Sequence, residues 1–154
     1  MACSVKVAKP VKSMDGPAWT IDVSFDSAVL SRPAGKPIAK DGGEPGKAFL
    51  ALITAAQGND LTKIIALLAP GEAEDYQHDY NTPEENLKDA KTTLGYKLPK
   101  KPKITGGEMV NDETAILEVE GAPFESGKML YLVEMHRSNG HWGFDWAHAA
   151  GLLR

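Results

Sequence analysis

The dipeptide Asn139-Gly140, set between two runs of alternating side chains, constrains this chain more than any other stretch. A type I′ turn needs positive φ at both central residues, and Asn-Gly supplies it at little cost. A two-residue reversal there pairs Ser138 with His141, Arg137 with Trp142, His136 with Gly143 and Met135 with Phe144. Continued further, it sets Glu134 opposite Asp145 and Val133 opposite Trp146. Side chains alternate along a strand, so one face collects Tyr131, Val133, Met135, Trp142, Phe144 and Trp146. The other collects Leu132, Glu134, His136, His141 and Asp145, with a gap at Gly143 beside His136.

Two carboxylates directly opposed on a pleated surface repel each other. Water, an adjacent imidazolium or a shared proton would relieve the pair, and three readings follow. The face is solvated and the acids are screened. Or it is a cavity wall on which Glu134, Asp145 and His136 act as catalytic acid and base. Or it holds a metal, for which these are proper ligand types, although no HxH or HExxH spacing supports it and no metal is assigned.

A chain of 154 residues has the length of one domain with a sizeable core. Its 42% apolar and 25% charged content is ordinary for a globular protein. A net charge of −4 argues against bulk attraction to nucleic acid or an anionic membrane. No apolar run approaches the ~18 residues of a transmembrane segment. The single cysteine, Cys3, allows no internal disulfide, and a cytoplasmic location is the default. A lipid-anchored or exported form is the alternative, with Cys3 as the remnant of a removed leader.

Residues 1–30 read as an N-terminal β-hairpin or edge strands. Trp19, Ile21, Val23 and Phe25 alternate with polar residues, and Ser13 to Pro17 supplies a turn. Residues 31–46 carry three prolines and four glycines and read as a linker. The run from Gly42 to Lys47 is one residue short of a phosphate-binding loop, and Ala48 stands where a hydroxyl is needed.

From Lys47 the period changes. Phe49, Leu52, Ile53 and Ala56 make one helical stripe, closed by Gly58. Leu61, Ile64, Ile65 and Leu68 make a second, capped by Asn59 or Asp60 and ended by Pro70-Gly71. Residues 72–81, with His78, read as a polar connector. Thr82, Pro83 and Glu85 form a capping box for a third helix with Leu87, Ala90 and Leu94, closed by Gly95. The basic stretch from Tyr96 to Lys103 reads as a solvated loop. Beyond it, three to four antiparallel strands form a meander that ends in the hairpin, with a loop at 121–127. The expected fold class is α+β: a bent helix pair and a third helix on a curved antiparallel sheet, over residues 47–154.

The runs AFLALITAAQGNDLTKIIALLAP, EENLKDAKTTLGY, NDETAILEVEG and LYLVEMHRSNGHWGF, within residues 47–150, together resemble the nuclear transport factor two-like superfamily. That cystatin-like α+β cone includes ketosteroid isomerase and the polyketide cyclases. The resemblance implies a pocket between helices and sheet, with the Glu134/His136/Asp145 face inward and the tryptophan face covered by the N-terminal strands or by a second subunit. The reverse orientation, with the tryptophans as core, stays open because helices need an apolar face to pack on. Laid on the isomerases, Glu134 falls at the acid that donates to the oxyanion. Their tyrosine falls at Leu52, and their base aspartate at Tyr76, one residue beyond Asp75.

The leading expectation is therefore a small-molecule-binding or accessory domain without a cofactor. Its unidentified apolar ligand would meet Leu52, Tyr76, Tyr96 and His141, and a homodimer would form through a sheet face. An isomerase, dehydratase or cyclase using Glu134, Asp145 and His136 is the second expectation. A structural or dimerisation module is the third.

Overall fold

The structure, a computed structural model, describes residues 2–6, 11–12, 18–19, 22–26, 34–77, 82–122 and 128–153. The expected turn at 13–17, His78 and residues 123–127 of the expected loop lie outside them. The chain divides into two compact units, residues 1–33 and 34–154. In the first, β1 (Ala2–Lys6) pairs antiparallel with β4 (Asp22–Asp26), placing Val5 opposite Val23. Between them β2 (Val11–Lys12) pairs with β3 (Ala18–Trp19).

The second unit is α+β. Strands β5 (Lys36–Pro37), β6 (Lys100–Met109), β7 (Thr114–Ala122), β8 (Lys128–Ser138) and β9 (His141–Leu153) form one open antiparallel sheet in that order. On it pack α1 (Gly43–Gln57), α2 (Leu61–Ile65), α3 (Pro70–Glu74) and α4 (Pro83–Lys97). Alternation along the central strands sends Ala115, Leu117, Val119, Tyr131, Val133, Met135, Trp142 and Phe144 to the helices, where all are buried. They meet Phe49, Leu52, Ile64, Ala90 and Leu94, and the rings of Phe49 and Phe144 stand 6.5 Å apart. Each Val, Leu, Ile, Met or Phe among them contributes about 1.5–3 kcal/mol when taken fully out of water.

The face that meets the helices is thus the aromatic one, the reverse of the orientation the resemblance implied. The reason is the price of burial: an apolar helix stripe loses several kcal/mol if its partner surface presents unpaired carboxylates.

Elsewhere, tertiary contacts override composition. The segment expected to be a linker supplies β5 and the first turn of α1. Gly42 and Gly43 take φ of 77° and 58°, and a Cβ at Gly46 would stand 2.9 Å from Ile104 Cδ1. Glycine here lets a helix start sit directly on β6. The second helix stops at Ile65, short of Leu68, and Pro70 opens α3 at a first-turn position where its missing N–H costs nothing. Between them the chain runs alongside β9: Phe144 donates to Leu67 O (2.9 Å) and Ala69 donates to Phe144 O (2.7 Å). The capping box forms as expected, with Glu85 N donating to Thr82 Oγ1 and Thr82 N to Glu85 Oε2. Helix α4 passes through Gly95 to Lys97, and the basic stretch becomes the buried Leu98 and Pro99 followed by β6.

Candidate functional site

The reversal at Asn139-Gly140 has φ of 52° and 80° at its two central residues, the signs a type I′ turn requires. Pairing follows the expected register from Ser138–His141 to Met135–Phe144 and then breaks. Asp145 is the extra residue of a β-bulge, so Glu134 pairs with Trp146 and Val133 with Ala147. The expected Glu134–Asp145 and Val133–Trp146 pairs therefore do not form. A bulge removes the head-on placement of two carboxylates and re-aims the extra side chain. It also takes Trp146 out of the core, leaving it 50% exposed.

The three ionisable groups nevertheless converge. His136 Nε2 lies 3.1 Å from Glu134 Oε1 and 3.6 Å from Asp145 Oδ2, and one ligand atom from each residue lies within 4.8 Å of the others. Their side chains are 41%, 38% and 39% exposed in the order Glu134, His136, Asp145. Water reaches all three. His136 also lines a groove of about 250 Å³ with His141, Trp142, Ile65 and Leu68. The gap at Gly143 is filled by backbone: a Cβ there would stand 2.4 Å from Leu68 O.

The remaining expected site residues scatter. Leu52 is fully buried in the core. Tyr76 is buried as well, and its hydroxyl donates to Glu72 Oε1 at 2.7 Å. Tyr96 is 71% exposed, and His141 is exposed at the rim of the groove.

Two features escaped the sequence reading. The stretch expected to be a polar connector holds Glu72, only 6% exposed, gripped by Lys97 Nζ at 2.6 and 2.8 Å as well as by Tyr76. Lys97 also sits 5.3 Å from the ring centre of Trp146. Burial first, and then the bond to Glu72, push the Tyr76 phenol well above its usual pKa. The second feature is a cleft of about 410 Å³ where α1, α4 and the start of β6 meet. Ile53, Ala56, Leu94, Leu98 and Pro99 line it together with Lys91, Lys100 and Lys101. Lys91 Nζ donates to Gly58 O and Asn59 Oδ1, tying α4 to the end of α1. The sequence carried a partial signal for this cleft: an apolar stripe ending near four closely spaced lysines.

No family model, curated protein or solved structure matches the chain. No helix among the described residues is long and apolar enough to cross a membrane.

Proposed function

We propose that the second unit is a cone-like domain of the nuclear transport factor two-like type that binds a small, largely apolar molecule bearing an acidic group. The observation that carries this reading is the cleft between α1, α4 and β6. Its volume of about 410 Å³ lies within the range of small-molecule sites, and its lining joins apolar walls to lysines. Lys101 adds to it. It holds φ at 50°, a left-handed conformation that costs a non-glycine residue roughly 1–2 kcal/mol and that recurs at ligand clamps.

Binding is favoured over conversion by what surrounds the isomerase positions. Leu52 offers no donor, the Tyr76 hydroxyl is already engaged by Glu72, and Glu134 stands half-exposed outside the cleft lining. Self-association through the sheet is no part of this reading, because the helices already cover Trp142 and Phe144.

The test is a fluorescence titration of the whole chain with an anionic anilinonaphthalene sulfonate and with its uncharged phenylnaphthylamine counterpart. Saturable binding is expected, tighter for the anion. Ala56→Trp should abolish it by filling the cleft, and Lys101→Glu should weaken the anion roughly tenfold, about 1.4 kcal/mol. Failure of either probe to saturate, or an Ala56→Trp chain that binds like the parent, overturns the proposal.

A further inference from the structure

We propose that Glu134, His136 and Asp145 form a binding site for a divalent transition-metal ion of the zinc type on the β8–β9 hairpin. It shares no residue with the α1–α4–β6 cleft and does not depend on what that cleft binds.

The case rests on ligand type, spacing and support. Zinc takes imidazole nitrogen and carboxylate oxygen at about 2.0–2.2 Å, so the donors on neighbouring corners of a tetrahedral site stand roughly 3.3–3.5 Å apart. The two contacts of His136 Nε2, 3.1 Å to Glu134 Oε1 and 3.6 Å to Asp145 Oδ2, bracket that separation. An ion would settle among the three with side-chain torsion changes alone, since all three ligand atoms already fall within 4.8 Å. The donors rise from two neighbouring strands, a firmer base than a loop. Glu134 and His136 are two apart on β8 and so share a face, while Asp145 owes its aim to the bulge. A regular ladder would have left the two acids in direct opposition.

Charge points the same way. Two carboxylates on one half-exposed surface are compensated more fully by a doubly charged cation than by one imidazolium. Three protein donors leave a further coordination position for water or a small anion, the arrangement of open rather than structural zinc sites. His136 also borders the 250 Å³ groove, so that position is reachable from solvent. His141 lines the same groove but is not among the three clustered donors.

The test is calorimetric titration of the untagged chain with Zn²⁺, with Co²⁺ absorption as the structural readout. Saturable binding of a single ion per chain is expected, with a Co²⁺ visible band of the intensity typical of low-symmetry coordination. His136→Ala should lower affinity at least roughly a hundredfold, since even outer-shell losses cost 10–100-fold. Asp145→Asn and Glu134→Gln, which preserve shape, should each lower it and quench the Co²⁺ band. His141→Ala should bind like the parent. Saturating Zn²⁺ should raise the thermal midpoint of the parent and leave that of His136→Ala unmoved. A titration that does not saturate at millimolar Zn²⁺ would show the cluster to be an ion pair alone. Unchanged binding in His136→Ala, or equal loss in His141→Ala, would place the ion elsewhere. Either result overturns the proposal.

Discussion

Among the described residues, two carboxylate clusters have opposite designs. Around Glu72 the acid is buried and fully partnered: Lys97 grips both oxygens and the Tyr76 hydroxyl adds a third bond. Around His136 two acids share one imidazole nitrogen on a surface that water reaches. A buried charge is tolerated only when its bonds are complete, so the first cluster has nothing left to offer a ligand. The second retains unfilled lone pairs and room beside them. Completeness marks the structural role, and deficiency marks the candidate for function.

That contrast should break first at Lys97. Lys97→Met leaves Glu72 buried without its cation and should cost about 3 kcal/mol, read as a lower urea midpoint. Changing the set together, Glu72→Met with Tyr76→Phe and Lys97→Met, should recover most of the loss, because no polar group is then stranded. If the triple variant is no better than Lys97→Met alone, the cluster is not a self-contained polar unit.

Tyr76→Phe comes next, at about 2 kcal/mol for a bond to a charged acceptor. It also carries a pH signature. The folded phenol titrates above the unfolded one, so its stabilisation is whole below pH about 10 and drains away as pH rises further toward the folded value. The parent should therefore lose stability on the alkaline side faster than Tyr76→Phe. Parallel alkaline limbs in the two chains would remove the assigned cause.

The smallest effect belongs to the exposed cluster without metal. Glu134→Gln should shift stability by no more than about 0.5 kcal/mol, as for other half-exposed pairs. A loss as large as that of Lys97→Met would erase the distinction between the two clusters.

The two clusters also differ in how far the chain's order reveals them. Glu134, His136 and Asp145 could be gathered from a two-residue turn and a period of two, because their partnership is local. The register held for four pairs and failed where a bulge intervened, next to Phe144, whose other edge bonds Leu67 and Ala69. Nothing local announces a contact from a segment nearly eighty positions upstream. The capping box at Thr82 was legible for the same reason as the turn: its donors and acceptors are three residues apart. Glu72 and Lys97 lie 25 residues apart on different helices, in stretches whose polarity reads as solvent-facing. The face of the sheet that meets the helices was undecided in the hairpin itself. It became determinate once the stripe of Phe49, Leu52 and Ile64 needed an apolar partner.

The glycine- and proline-rich lead into α1 bears on where this domain begins. Gly35 N donates to Glu108 Oε2, Ile38 N donates to Gly107 O, and Pro45 and Gly46 are buried. A fragment trimmed to start at Lys47 would strip β6 of β5, one of its two neighbours, and shear off the seat of the first helix. Any dissection for expression or crystallisation is better begun near residue 34, where the compact unit starts.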